Sequence, residues 1–476
     1  EALNVIPSAD GYRPMPGFSA VSTNGLTARC QGAAAATDTA GNVYLYAGDA
    51  TSLYRLPPSL AWGDVSRAAA YATAADSFWE FVQSQNQIVA TNFDDPVQEI
   101  TVNDSDLFAD AITSADVPRA RHLGMVGLFL VLGSTYDATD LDRPSRVWWC
   151  GLDSSTGLGN IADFTPAAAT QCDFQDISDA GYLQRIIGGA DYGLLVMERG
   201  IWRMTYIGSP RVFSILPVER TRGTAIANSV VGLGRIAFYL AQDGIFATDG
   251  IQSIPLGHAK VDRWLLDQLD LVYRSRVSAA IDPVHKLVIW GFPGTGSTSG
   301  NPNRLLIYNW AEKKFSYAEI DHQIVFQGHS QGYTLDTLDN FSTDLDALPF
   351  SLDSRAWTGG QLRIGAFNTS RVYGTFTGAN LAATMETSEF QPHPGYSDIV
   401  HSRPLVDGGT VTAALASRNR LQDTATFGTA RSVLTDGECP TVGNGRYHRL
   451  RVSVAASGTW THAQGIEVAS VNAGVP

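Results

Sequence analysis

The feature that most constrains this chain is a stretch of short apolar runs punctuated by glycine turns, at residues 183–257. It reads LQRIIGGADYGLLVMERGIWRMTYIGSP, then FSILPVERTRG, then NSVVGLGRIAFYLAQDGIFATDGIQSIPLG. Residues 186–187, 194–197, 202–206 and 213–216 are four strand candidates, and 230–231, 236–240, 245–248 and 251–254 are four more. Asp243–Gly244 and Asp249–Gly250 separate strand-like runs, and Asp-Gly readily supplies the positive φ of a tight hairpin turn. Four short strands joined by hairpins and repeated every ~40–50 residues are the sequence signature of a propeller blade.

The same unit organises much of the chain. NVYLYAGDATSLYRL, residues 42–56, predicts a hairpin about the turn Gly48–Asp49, and residues 77–100 predict the next half-unit. Residues 105–115 read as a connecting segment of one or two helical turns. Residues 121–153 carry GMVGLFLVLGS and RPSRVWWCGLD, where adjacent Trp148 and Trp149 point to opposite faces of a strand. Residues 258–274 interrupt the pattern: Val261, Trp264, Leu265 and Leu269 form one apolar stripe of a helix packed on the flank of the ring. Strands resume at VSAAIDPVHKLVIWGF, and residues 308–315 read as a turn that swings one strand of a blade into the next.

Units starting near residues 41, 77, 121, 183, 228, 277 and 330 predict an all-β chain, a β-propeller of about six or seven blades. Residues 1–40 read as an N-terminal arm and entry strand, extended over 1–30 because Pro7, Pro14 and Pro16 block helix. The propeller is expected over residues 41–385, and a smaller C-terminal β-sandwich-like domain over 386–476, its last strand returning to the ring.

Composition limits the chemistry. The chain has 476 residues, with 47 Asp+Glu against 33 Lys+Arg, for a net charge of −14. That balance argues against a free nucleic-acid binder, which needs a basic footprint, yet suits a passage that nucleic acid must traverse without sticking. Cys30, Cys150, Cys172 and Cys439 form no C-x-x-C pair and suggest a reducing compartment, with a Cys150–Cys172 bridge as the lesser reading. No apolar run approaches the ~20 residues of a membrane helix, and the opening residues lack the basic region and apolar core of a signal peptide.

The motif inventory yields no catalytic, cofactor-binding or metal-binding residues. Asp336, Asp339, Asp344, Asp346 and Asp353 invite a calcium reading, but the Gly and Glu of an EF-hand loop are misplaced, and a solvated strand-loop-strand fits better. His122, His258, His285, His322, His329, His393, His401, His448 and His462 make no H-x-x-x-H or H-E-x-x-H pair; His322 and His329 read as ordinary surface residues. The sialidase Asp-box, the WD dipeptide, the Walker A loop and the G-x-S-x-G elbow do not occur.

Several segments resemble the tail nozzle, or tail tubular protein B, family of short-tailed bacteriophages. They are NVIPSADGYRPMPG (4–17), YAGDATSLYRL (46–56), GGADYGLLVMERGIWRMTYIG (188–208), AQDGIFATDG (241–250), and RPLVDGGTV, DGECP, GRYHRLRVSV and TWTHAQG between 403 and 465. These are structural words rather than a chemistry. The resemblance implies a non-enzymatic virion protein without cofactors, assembled in the host cytoplasm. It would form a homohexameric ring at the tail's distal end, meeting a tail adaptor protein and tail fibre proteins and conducting DNA at ejection. Trp62, Trp357 and Phe367 are then candidates for contacts between subunits, against ordinary packing. Fold alone fixes no function. A carbohydrate-binding propeller adhesin and a propeller glycosidase, the latter with two facing carboxylates, remain as alternatives.

Overall fold

The computed structural model describes residues 1–57, 59–103, 105–113, 117–329 and 361–474. The protein is all-β, with 50% of its residues in strands and 4% in helices. Its organising unit is a run of four antiparallel strands, and there are seven among the described residues, six of them separate four-stranded sheets and one part of a nine-stranded sheet. Sheet I holds Gly32–Thr37, Val43–Gly48, Leu53–Leu56 and Gly63–Asp64; sheet II holds Glu80–Ser84, Gln87–Thr91, Gln98–Thr101 and Ala109–Asp110. Sheet III holds Arg119–Val126, Phe129–Asp137, Leu141–Trp149 and Asp173–Asp176; sheet IV holds Leu183–Ile187, Tyr192–Met197, Ile201–Tyr206 and Phe213–Glu219. Sheet V holds Val231–Leu233, Ile236–Ala241, Gly244–Thr248 and Ser253–Pro255; sheet VI holds Ser278–Asp282, Leu287–Phe292, Arg304–Asn309 and Lys314–Glu319. In sheets I, II, IV, V and VI each strand pairs with the next in sequence; in sheet III the small hairpin Gly151–Leu152/Gly159–Asn160 intervenes before the fourth strand.

Sheet VII is assembled differently. Ile324–His329, Leu362–Phe367 and Val372–Thr375 supply three strands, and its outer strand is Ser19–Gly25 from the chain's beginning. Val372 faces Gly25, Gly374 faces Ala20 and Thr375 faces Ser19, while the Ser22 hydroxyl accepts the Tyr373 N–H at 3.0 Å.

The sheets follow one another in a cyclic order. The first strand of sheet I lies against that of II, II against III, III against IV, V against VI, VI against VII, and VII against I. Sheets IV and V approach so closely that a Cβ on Gly232 would fall 2.4 Å from Ile187 Cγ2. An apolar layer fills each junction. Tyr46 and Leu53 meet Ile88 and Ala90 between I and II, and Val196 and Ile201 meet Tyr239 and Phe246 between IV and V. Leu45, Tyr54 and Leu56 meet Phe326, Phe367 and Tyr373 between VII and I. Strands buried on both faces read as continuous apolar runs, which is why VYLYAG and LVIWGF are buried throughout.

The remaining strands form two further layers. Ala2–Leu3 pairs in parallel with the outer strand of sheet VI and antiparallel with Ala383–Glu386. Tyr447–Val454, Val411–Arg418 and Arg431–Ser432 then continue that sheet to nine strands. A five-stranded sheet of Val5–Ser8, Gly11–Pro14, Ala463–Gly474, Tyr396–Val406 and Gly443–Gly445 lies beside it. Val5, Ala383, Val454, Trp460 and Ala463 share one core between the layers, and Ile399, Leu415 and Leu450 another.

Several sequence expectations are corrected. The strand Gly32–Thr37 falls inside the expected N-terminal arm, where the alanine run GAAAAT gives no alternation to read. The arm itself is strands, with Pro7 and Pro14 on the short hairpin Val5–Ser8/Gly11–Pro14. Residues 105–113 contain the strand Ala109–Asp110 rather than helical turns. The last strand, Ala463–Gly474, stays with the C-terminal layer; the distant strand that completes sheet VII is N-terminal. The flank helix is short, Asp262–Gln268, followed by a 3-10 segment Leu271–Arg276, although Leu265 and Leu269 are buried as the stripe required.

Candidate functional site

The first strands of the sheets enclose a cavity of about 420 Å³. Six sheets contribute to its lining: Gly32–Ala35 (I), Glu80 and Phe81 (II), Arg185 and Ile187 (IV), Val231 and Gly232 (V), Ser278 and Ala279 (VI), and Ile324–Gln327 with His329 (VII). Gly32, Ala33–Ala35, Gly232, Ser278 and Ala279 bring small side chains to this lining beside larger ones. The alanines that hid the first strand of sheet I are what this position requires, since larger side chains would fill the space.

Polar groups are concentrated on one wall. Glu80, whose side chain is 2% exposed, begins the first strand of sheet II. Its Oε2 accepts from His122 Nδ1 of sheet III at 3.0 Å and lies 3.1 Å from Arg185 Nη1 of sheet IV. The Arg185 Nη1 also reaches Asn228 Oδ1, just before sheet V, at 3.4 Å. One hydrogen-bonded chain therefore crosses the first strands of three successive sheets and reaches the threshold of a fourth. Phe78 covers the His122 ring at 5.8 Å, and Trp79 anchors the segment by donating its indole N–H to Asp49 O at 2.8 Å. A carboxylate so deeply buried requires a compensating cation, and Arg185 supplies one beside the His122 hydrogen bond.

Arg29, Asp76, Ser275, Arg276 and Gln323 line a separate small pocket that shares Gln31, Asn228, Ser278 and Ile324 with this cavity. Burial lowers the Arg29 pKa below its ordinary value, and the charge of Arg276 lowers it further.

A second concavity, about 800 Å³, lies between the N-terminal hairpin, sheets VI and VII, and Trp460. Its walls are mainly apolar, among them Ile6, Met15, Leu287, Ile289, Ile364 and Phe376, with Asp282 and His285 paired at 2.7 Å on its edge.

The sequence assigned no site residues, and it did not bring these together. Glu80, His122, Arg185 and Asn228 are far apart in the chain. The available signal was a polar residue recurring within otherwise apolar first strands of successive units. His322 and His329 are not ordinary surface residues. His322 is fully buried, its Nδ1 bonded to Ile320 O at 2.8 Å, and burial pushes its pKa down to about 4. His329 is half-buried on the cavity wall. Trp62 and Phe367 are core residues, their rings 5.6 Å apart between sheets VII and I, and so are not surface contacts. Trp357 and the aspartates of 336–353 lie outside the described residues.

Both Trp148 and Trp149 are buried; the first packs on Phe174 and the second, on the other face, on Phe213 of sheet IV. All four cysteines are free and buried, and burial pushes the Cys150 and Cys172 thiols up to about 12, so neither is a ready nucleophile. Among the described residues, no group of three or more His, Cys, Asp or Glu side chains is arranged to hold a metal ion, and no helix is long and apolar enough to cross a membrane. Glu80 is the one carboxylate among the described residues lining the central cavity, where glycoside hydrolysis requires two.

Compared with family models and with curated proteins, the chain matches none.

Proposed function

We propose that the seven sheets are the blades of one β-propeller, and that this propeller is the body of a structural subunit of a short phage tail. In this reading about six copies form the distal nozzle, a ring that closes the tail, conducts DNA at ejection and helps anchor fibres. The adaptor above and the fibres beside it are its partners, and the virion tail is its location. The observation that carries the proposal is the cyclic packing of seven sheets with the N-terminal strand Ser19–Gly25 completing the last. A ring clasped by its own chain end is a rigid building block. It is the architecture that the nozzle-like segments imply.

Two further observations support the reading. The central cavity, at about 420 Å³, has the volume of a small-ligand pocket and cannot pass a duplex. A DNA conduit must therefore lie between copies. The net charge of −14 disfavours capture of phosphates on such a conduit's wall. The lone carboxylate in the central cavity favours this reading over a glycosidase.

The test is a phage carrying a nonsense mutation in the coding sequence of this chain. Particles made without the chain should package DNA, fail to retain it, and regain infectivity when the purified chain is added. Particles that hold and eject their DNA normally without it would overturn the proposal.

A further inference from the structure

Every lysine of the chain stands at one end of sheet VI. There are four: Lys260, Lys286, Lys313 and Lys314. Lys286 ends the turn between the first two strands of the sheet, Lys313 ends the turn between the last two, and Lys314 begins the last strand. The two turns touch, the Trp310 N–H donating to Lys286 O at 3.1 Å. Lys260, just before the flank helix, donates from Nζ to Lys313 O at 3.0 Å, and Lys314 Nζ reaches the carbonyls of Ser8 and Ala9 at 3.4 Å each. Carbonyls satisfy hydrogen bonds without cancelling charge. Among the described residues none of the four lysines has a carboxylate oxygen within 4.0 Å, although Asp10 and Glu312 sit in the adjoining turns. Lys260, Lys286 and Lys313 are exposed. Apolar surface accompanies them. Val284, in the same turn as Lys286, is 67% exposed, and the Trp264 and Tyr317 rings lie 4.7 Å apart in a concavity that Lys260, Lys313 and Lys314 also line. The carboxylates of that concavity, Glu1 and Glu386, are engaged by the Tyr317 hydroxyl and by Arg449 and Arg451.

The opposite charge collects on sheet III. Residues 151–184 carry Asp153, Asp163, Asp173, Asp176 and Asp179 and no Lys, Arg or His. Residues 150–172 of this stretch are an excursion between the third and fourth strands of the sheet. Asp176 pairs with Arg146 at 2.8 Å and Asp179 lies 4.0 Å from Arg220. Asp153, Asp163 and Asp173 have no cationic nitrogen within 4.0 Å among the described residues. Exposed apolar side chains adjoin them too. Leu128, whose carbonyl packs against Gly159 of the excursion, and Tyr206, whose hydroxyl donates to Gln171 Oε1 at 3.0 Å, are 51% and 44% exposed. Sheets III and VI are three apart in the cyclic order of seven, so the two charged faces lie on opposite sides of the chain.

Copies of a chain with net charge −14 repel one another except where cations are gathered. Complementary charge across an interface selects the partner and fixes the register, and exposed apolar side chains rimmed by polar ones mark a contact surface. We infer that the lysine end of sheet VI docks on the acidic excursion of sheet III of a second copy. The two faces are different and lie on opposite sides of one chain. The contact is therefore heterologous, propagating head to tail, and such contacts generate rings when the rotation closes. It names the subunit contact of the ring proposed above, and it rests on that reading for closure alone.

Sedimentation velocity of the full chain tests this, at low salt and at about 1 M salt, where screening leaves a range of only ~3 Å. The wild type should self-associate at low salt and sediment as single chains at high salt. Lys286→Glu with Lys313→Glu should weaken association at least tenfold, and so should Asp153→Lys with Asp173→Lys, both variants keeping the wild-type circular dichroism. An equal mixture of the two variants should associate again, because each native face then meets its native partner and each reversed face meets the other reversed face. A second measurement needs no variant. Carbodiimide coupling of mixed light and heavy-nitrogen-labelled wild-type chains should join Lys260 or Lys313 to Asp163 in isotope-mixed peptides. A wild type that stays a single chain at low salt, a mixture no better than either variant, or isotope-mixed peptides confined to other pairs would overturn the contact. None of these results bears on whether the chain sits at a tail tip, which particle labelling decides separately.

Discussion

Glu80 shows how much one side chain commits this fold to. It ties sheet II to sheets III and IV through His122 and Arg185; Glu80 and His122 are buried, while the Arg185 side chain is 26% exposed. Removing one partner of a buried pair costs about 3–5 kcal/mol, chiefly because the other charge is stranded. Glu80→Ala should therefore lower the unfolding midpoint by that order, and Glu80→Ala combined with Arg185→Met should cost clearly less than the sum of the two single changes. Additive losses in denaturant titrations would show that the pair is not coupled. His322 gives a second residue-scale test. Its folded pKa of about 4 lies below the ordinary value of 6.5. Between those values the unfolded chain binds more protons, so stability is complete above pH 6.5 and drains away as pH falls toward 4, by about 3 kcal/mol in all. His448, held between the Ser397 and Ser417 hydroxyls, is also lowered by burial and acts in the same direction. In thermal melts across that pH window the wild type should lose more stability than His322→Gln; parallel curves would contradict the assignment. None of these residues was legible in the sequence. A histidine's burial depends on a neighbour brought up by topology, here Gly291, where a Cβ would sit 2.2 Å from His322 Nε2.

Elements were far more legible than residues, for physical reasons. Apolar runs bounded by Asp-Gly turns mark hairpins because the turn chemistry is local. Gly250 does take a φ of +78°, and the Asp249 Oδ1 accepts the Ile251 and Gln252 N–H groups at 2.9 Å each. The turn at Asp49 was equally readable, and that carboxylate, fully buried, accepts from Thr27, Ala28, Thr51, Ser52 and Tyr54. What local chemistry does not encode is which distant strand completes a sheet. Ser19–Gly25 is polar, STN-rich and remote from sheet VII in sequence, and its role follows from pairing alone. Helix length was over-read for a similar reason. The apolar stripe continues past Gln268, but the chain tightens into a 3-10 segment, with the Asp270 carboxylate accepting the Val272 N–H at 2.9 Å. The closing strand carries its own prediction. A Cβ on Gly374 would fall 2.1 Å from Ser19 O and 2.5 Å from Phe18 Cζ. Gly374→Val should destabilise by about 1–3 kcal/mol through overpacking and expose the segment before Gly25 to protease first. Cleavage elsewhere, with this segment protected, would mean that the closing strand is not the weak point.

At the scale of the whole molecule the account rests on charge and closure. A protein of net charge −14 that handles DNA must do so without gripping it. The purified chain should show no salt-sensitive duplex binding by fluorescence anisotropy near physiological ionic strength; tight binding that falls steeply with salt would contradict a passive conduit. Edges also matter in an assembly of sheets. The outer strand of sheet IV, Phe213–Glu219, ends its sheet unpaired and carries Pro217, which withholds an N–H from edge-on pairing. Contacts between copies are therefore expected through side chains rather than by joining sheets there. The most direct measurement of the central claim is immunogold labelling of intact phage particles with antibody against this chain. Gold confined to the tip of the short tail is the predicted result. Unlabelled particles, with the protein free in the lysate, would contradict the nozzle reading outright.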